Sequence, residues 1–472
     1  MAVINARSPY YVSITDAAIS YATLEIYIYN GTKTATTPII YNLRKNKIGS
    51  NTSVSFEISE LIRDFLDLNF NGDYDVAATS DNACKWVKTI IKAYNVSDVQ
   101  VGSTVTETKL VLDSYGYFEE GSSFSLDNQS LLASNADIFL PTFGNSNIGI
   151  YTENNPTVDL LDSSGTVVDT QSFTSSVLSD EQIKYVNLYP ELITNLGFDD
   201  SSDWTIRAGD VIEDGQLFFG GATGARLPTT FTATTGTNYI LNFNITQSES
   251  GNFSVFDGDS GASIISSVSE VGEYSVQYTQ TSTLNNTVIF FSTLGFVGAI
   301  DNVSVKEVYQ VSEVSVTDDN KTRTLKVKQV DECKFEPYKV TFVNKNGVLQ
   351  DMYFFKKSTE AMTTKRENYK ANTINSDNTY NTNIHTKKDF NITANETIKL
   401  SSGYLNESVN ETFKQLLLSE KVWITKQFQN DILVLPINIK TSDITYKTSL
   451  NDRLVDYTFD FEYSYNAINN IR

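Results

Sequence analysis

Glu191-Leu192-Ile193-Thr194-Asn195-Leu196-Gly197-Phe198-Asp199 opens, and Gly298-Ala299-Ile300-Asp301-Asn302-Val303-Ser304-Val305 closes, the stretch that decides the fold. Between these ends, short runs alternate apolar and polar residues and are separated by Gly, Thr and Ser turns. A period of two is the mark of half-buried strands. Residues 191–308 therefore read as a self-contained β-sandwich inserted in a body that resumes after it. Deleting them would run Tyr185-Val186-Asn187-Leu188 into Val311-Ser312-Glu313-Val314, both strand-like.

Outward from that stretch the same pattern holds. Tyr10 to Ile14, Leu24 to Ile28, Ile39-Ile40 and Val54 to Ile58 read as strands. Ile58, Leu61, Ile62, Phe65 and Leu66 then fall at helical spacing, with Ser59 placed as cap. Trp86 to Tyr94 and Thr106 to Leu112 complete 1–113, a small sandwich of fibronectin-like character. In 114–190, Val158–Leu161 and Val167–Phe173 form a hairpin. In 309–472, Tyr338–Val343 and Leu349–Phe355 flank the turn Asn344-Lys345-Asn346-Gly347. Polar residues 356–395 read as an exposed loop or long hairpin, or as an arm reaching a neighbour. Val409, Phe413, Leu416 and Leu417 give a second helix, capped by Asn406 or Ser408. The expected class is mostly β: several β-sandwich domains, one an inserted jelly roll, with two short helices.

Composition narrows function. The chain has 472 residues, enough for several cores, and a formal charge of −21. A duplex binder needs clustered cations to displace counterions, so nucleic acid and anionic membranes are not the expected partners. No apolar run approaches the ~20 residues of a membrane helix, and Met1 to Arg7 shows no signal peptide. Cys84 and Cys333, the only cysteines, lack metal-ligand spacing and read as buried thiols rather than a disulfide.

One histidine, His385, removes most Ser-His-Asp, Cys-His and multi-histidine metal arrangements. Gly220-Gly221-Ala222-Thr223-Gly224-Ala225 lacks the Lys-Ser/Thr of a phosphate loop and reads as a turn. The doublets Asp199-Asp200 and Glu119-Glu120 read as solvated turns, so no catalytic residue is assigned. Asp199 follows the module's first strand and Asp301 precedes its last. If those strands lie together, the two carboxylates meet and suit a structural calcium; otherwise each caps its own turn. The aromatics Phe198, Trp204, Phe218, Phe243, Phe253 and Phe290 read as core. Tyr239, Tyr274, Tyr278 and Phe296 read as core or as a sugar-binding face.

The residues Glu191 to Asn195, Gly197-Phe198, Trp204, Gly236-Thr237-Asn238-Tyr239 and Ile300 to Val308 resemble carbohydrate-binding jelly-roll domains of the kind attached to xylanases and inserted in phage tail proteins. That resemblance implies calcium near Asp199 and Asp301. The flanking body resembles virion proteins of tailed phages of Bacteroidetes, the crAss-like group included. It does so at Tyr115 to Gly121, Asp331 to Val340, Gly347 to Lys357 and Gln415 to Glu420. The resemblance implies a non-enzymatic tail, neck or baseplate protein, made in the host cytoplasm and carried in the virion. It would form a homo-oligomeric ring with other tail or neck proteins and project the jelly roll toward host-surface glycans. The alternative is a stand-alone glycan-binding or glycan-processing protein.

Overall fold

The alternation of Ala22, Leu24, Ile26 and Ile28 with polar neighbours makes Tyr21–Tyr29 a strand whose one face is fully covered. In a computed structural model it is the fourth strand of a five-stranded sheet, in the order Ile4–Asn5, Gln100–Leu112, Cys84–Tyr94, Tyr21–Tyr29, Tyr41–Asn46. The ladder Tyr11–Thr15 with Ser53–Glu57 turns Val12, Ile14, Val54 and Phe56 onto the same core. Each such side chain contributes roughly 1.5–3 kcal/mol on burial. Residues 3–79, 83–123, 126, 130–134, 136–141, 144, 146–174, 179–189, 192–193, 197–198, 204–221, 224–228, 233–257, 262–281, 288–292, 295–308, 311–319, 321–332, 334–428, 431–443 and 454–468 are described.

The chain divides into two compact units. Unit 1 comprises residues 1–142, 146–186 and 312–472; unit 2 comprises 143–145 and 187–311. Unit 1 holds the sheet above, two more large sheets and, among the described residues, three two-stranded ones. One of the two large ones has the order Val167–Ser172, Thr157–Leu161, Glu313–Asp318, Lys321–Val330, Ile138–Pro141. In it Thr157–Leu161 pairs directly with Glu313–Asp318, Thr157 opposite Thr317 and Leu161 opposite Glu313. Strands from either side of unit 2 are thus neighbours in one ladder. The third sheet has seven strands, from Leu349–Phe354 through Tyr338–Val343, Val422–Phe428, Asp431–Ile439, Thr458–Asn466 and Lys387–Ser401 to Thr359–Lys370.

Unit 2 is a sandwich of two five-stranded antiparallel sheets. One contains Trp204–Thr205, Gly224–Pro228, Val288–Ser292, Phe253–Asp257 and Ser263–Val268. The other contains Val211–Glu213, Gln216–Gly220, Val297–Glu307, Asn238–Ser250 and Gly272–Thr279. Phe219, Phe243, Phe253, Phe290 and Phe296 interlock between them, with Phe219 and Phe253 stacked at 5.6 Å and Phe253 and Phe296 edge-on at 4.9 Å. The protein is mostly β, as its alternation predicts.

Local readings differ at several points. Ile39 and Ile40 are exposed and precede the strand Tyr41–Asn46. Ser59 is not the helix cap. Ile58 holds that place, and the Glu57 carboxylate accepts from Ser59 N and Oγ instead. Besides Ser59–Arg63 and Asn410–Leu417, a third short helix, Tyr74–Thr79, is present. Asn406 does cap, accepting from Ser408 N at the 3-10 turn that leads into Asn410–Leu417. Among the described residues no helix is long and apolar enough to cross a membrane.

Candidate functional site

Three stretches distant in sequence meet inside unit 1. The turn after Tyr338–Val343 places Gly347 at φ +78°, where an added Cβ would lie 3.0 Å from the Asp113 backbone. Only glycine allows that approach. It brings Lys345 beneath the Tyr115–Glu120 segment, whose Tyr115 N donates to Lys345 O. Lys345 Nζ pairs with Glu120 and sits 4.4 Å over the Tyr117 ring, and Lys414 Nζ sits 3.5 Å over the same ring. Tyr117 OH donates to Glu411 Oε1, which also accepts from Gln415 Nε2, while Gln415 Oε1 accepts from Lys345 N. Asn344 and Ser134 both donate to Gln350 Oε1.

Electrostatics follow burial. Desolvation, then the hydrogen bond to Glu411, pushes the Tyr117 hydroxyl well above its ordinary value. Burial pushes Tyr115 up to about 12 against the pull of Arg7. Burial raises the Asp113 carboxyl despite Arg7 and Arg63, whereas the hydrogen bond from Arg63 lowers Glu420. Arg7 also donates to Leu418 O, tying the first residues to the end of the helix Asn410–Leu417.

A deeper group lies nearby. Asp351 has a fully buried side chain. It accepts from Tyr74 OH, from Thr341 Oγ1 at 2.7 Å and from Asn147 N at 3.1 Å, and it pairs with Lys339 Nζ at 3.2 Å. Burial, then the Asp351 charge, holds the Tyr74 proton on. Within these clusters Lys345 pairs with Glu120 and Lys339 with Asp351, whereas Asp113 Oδ1 is buried without a hydrogen bond, 4.0 Å from Arg63 Nε.

Two grooves open on the same unit. One, of about 620 Å³, is lined by Arg7, Tyr10, Tyr11, Tyr117 and Phe118, with Phe118 98% exposed. The other, of about 650 Å³, presents Arg323, Lys326 and Lys328, the last paired with Asp137.

Of the two carboxylates expected at a metal, Asp301 alone falls among the described residues. Asp301 lies within the strand Val297–Glu307 opposite Asn244, not before it, and its Oδ1 accepts from Asn302 N at 2.6 Å. The chain ahead of Asp199 does reach that strand, Leu192 N donating to Val305 O. Asp199 and Asp200 lie outside the described residues, as does Cys333. Among the described residues no group of three or more His, Cys, Asp or Glu converges as a metal shell would require. Cys84 is a buried thiol donating to Asp180 O, and His385 is exposed. Glu120, one of the carboxylate doublet, accepts from Tyr117 N as well as pairing with Lys345.

The aromatic reading sharpens too. Tyr239, Tyr278 and Phe296 are core, Tyr274 is half-buried and stacked on Phe243 at 5.1 Å, and Phe219 rather than Phe218 points inward. Alternation alone leaves the Phe218-Phe219 pair ambiguous; in the structure Phe219 is 2% exposed and Phe218 half-buried. An added Cβ at Gly220 would lie 2.2 Å from Gly209 O, so this end of the strand lies tight against the turn. Tyr74, Lys339 and Asp351 escaped the sequence reading. Asp73 preceding Tyr74 was the available signal, its carboxylate accepting from Asp75 N as a helix cap does.

No family model matches the chain, and no curated protein matches it. Solved structures with some similarity include the M60 catalytic domain with the CBM51-1 and CBM51-2 domains of Clostridium perfringens ZmpB, at 10% identity and a TM-score of 0.16, covering 96% of this chain and 52% of that one. Native E. coli alpha-2-macroglobulin aligns at 8% identity and a TM-score of 0.17, covering 97% and 39%. A 1.5-MDa bacterial ice-binding adhesin aligns at 11% identity and a TM-score of 0.12, covering 70% and 94%. The chain spans about half the length of the first of these.

Proposed function

We propose that the chain is a non-enzymatic structural component of a phage tail, neck or baseplate. It assembles with copies of itself into a ring and carries the jelly roll as a guest unit. One observation carries the reading. Large apolar side chains left in solvent, Met362, Tyr369, Phe390 and Ile392, line the hairpin of Thr359–Lys370 and Lys387–Ser401. Exposed apolar surface of that kind is covered by protein partners. Negative-stain imaging of the purified chain should show closed rings. Particles that remain monomers at every concentration, or virions whose peptide map lacks the chain, overturn it.

A second reading, a stand-alone glycan-binding or glycan-processing protein, draws on unit 2. Its strand Gly272–Thr279 turns Glu273, Ser275, Gln277 and Thr279 to solvent, a row of groups suited to sugar hydroxyls. A glycan array with a hydrolysis assay on bacterial surface polysaccharide separates the two. Binding without turnover fits the ring component, and turnover sinks it. A structural calcium at Asp199 and Asp301 belongs to the same proposal. Calcium should raise the unfolding temperature of unit 2 in the native chain and not in Asp301→Ala. No shift in either removes the ion.

A further inference from the structure

We infer that the hairpin of Thr359–Lys370 and Lys387–Ser401 is an arm that docks on the acidic surface of a second copy of this chain. The inference rests on the assembly reading above and names the element that performs it.

The register defines the arm. Lys387–Ser401 pairs with Thr458–Asn466 only from Asn395 to Ser401. It pairs with Thr359–Lys370 all the way out to Lys370 opposite Lys387. From Thr393 to Lys387 the ribbon is therefore two strands wide and extends roughly 23 Å past the seven-stranded sheet, at about 3.3 Å per residue. A tip follows, closed by Ala371 N donating to Thr386 O and by the Ile374–Tyr380 bridge. Two-stranded ribbons are marginal in water and gain stability when a third layer covers them. Thr359–Lys370 is also the last strand of its sheet, and every one of its residues is exposed.

The surface chemistry points to a protein. Tyr369 and Phe390 meet edge-on at 5.7 Å, and Ile374, Tyr380, Ile384 and Ile392 add apolar area along the ribbon and tip. Tyr380 is 69% exposed, which water disfavours and a partner would relieve.

Charge selects the partner. The projecting ribbon and tip, residues 365–393, carry five Lys and Arg against three Asp and Glu, a local +2 in a chain of formal charge −21. Residues 187–311 alone carry 14 Asp and Glu against three Lys and Arg. A basic arm on an acidic body is drawn to another such body, and opposite fields steer and orient the encounter. A second copy supplies that field without any further partner.

The test uses the full chain in sedimentation velocity across a concentration series. In one variant residues 366–392 are replaced by Asn-Gly, closing the hairpin at the Lys365–Thr393 pair. Two milder variants keep the arm: Tyr369→Ser with Phe390→Ser, and Lys387→Glu with Lys388→Glu. Circular dichroism and urea unfolding confirm that each variant folds. The native chain should assemble, the shortened chain should sediment as a monomer, and each milder variant should raise the dissociation constant about tenfold or more. Added salt should weaken native assembly, since exposed charges are screened within about 10 Å at 0.1 M. Variants that assemble like the native chain overturn the arm while leaving the assembly reading standing. A native chain that is monomeric throughout, its arm cut readily by protease, overturns both. Assembly lost only with the aromatic pair, and indifferent to charge and salt, overturns the electrostatic choice of partner.

Discussion

Replacing Asp351 by Ala should cost unit 1 roughly 3–5 kcal/mol, the range for breaking a buried ion pair by removing one member. The substitution strips a fully buried carboxylate from Tyr74 OH, Thr341 Oγ1, Asn147 N and Lys339 Nζ at once. The Lys339 side chain is itself only 16% exposed, so its charge is left facing a cavity rather than water. Asp351→Asn keeps the shape and an acceptor but loses the charge, and should cost about 1.5–3 kcal/mol, the scale of a hydrogen bond to a charged group. As a control, Asp389→Ala removes the exposed Arg366–Asp389 pair, 3.4 Å apart with side chains 56% and 42% exposed, and should cost less than ~1 kcal/mol. The assay is urea unfolding followed by tryptophan fluorescence in a Trp204→Phe background. That leaves Trp86 and Trp423, both in unit 1, as reporters. A loss below ~1 kcal/mol for Asp351→Ala, or equal losses for Ala and Asn, would refute the claim that the buried charge organises this region.

Gly298→Ala should destabilise unit 2 by about 1–3 kcal/mol, because the new Cβ would lie 2.3 Å from Gln247 O and 2.6 Å from Phe296 Cζ; Trp204 fluorescence during urea unfolding reads it. In the same unit Phe243→Ala should cost about 3–5 kcal/mol, and the half-buried Phe218→Ala clearly less, reversing if Phe218 is the core residue. Alkaline pH should weaken unit 1. Tyr115 holds its proton to about 12 when folded and loses it near 10.0 when unfolded, so its contribution is complete below 10.0 and fades as pH rises toward 12. Absorbance at the tyrosinate band should rise together with unfolding; ionisation well before unfolding contradicts the burial. Glu420 acts oppositely. Its folded pKa is lowered by Arg63, so the stability it adds is present above its unfolded pKa of 4.5 and is lost as pH falls through the folded value. Arg63→Ala should flatten that acid limb.

Much of the strand framework was readable because burial on one face imposes a period of two. Leu24 to Ile28 and Tyr338 to Val343 are strands for that reason, and the Asn344–Gly347 turn follows from its residues. The residues that join distant segments were harder. Lys345, Glu411 and Gln415 act as a set only because Gly347 lets one turn press against Asp113, a contact made through the backbone. Asp351 reads in sequence as one of two adjacent polar residues in an otherwise apolar strand, and nothing near it names Tyr74 or Asn147 as partners. Phe218 and Phe219 show the limit of pattern alone, since two adjacent aromatics fit either register. Asp301 shows it differently: it was read as preceding the last strand, whereas it sits in mid-strand opposite Asn244.

The ladder between Thr157–Leu161 and Glu313–Asp318 bears on how the chain is made. The nascent body reaches Leu161 with its neighbour strand still some 150 residues away. Unit 2 emerges in that interval, but its last strand ends at Glu307, and at ~5–20 residues per second Glu313 follows it within about a second. Once folded, it holds its two ends at a set spacing and spares the later strand most of the search. A guest slow to fold would leave the edge of Thr157–Leu161 open to the wrong chain. Lesions deep in unit 2, such as Phe243→Ala, should therefore lower the yield of correctly folded chain even where the finished body is equally stable.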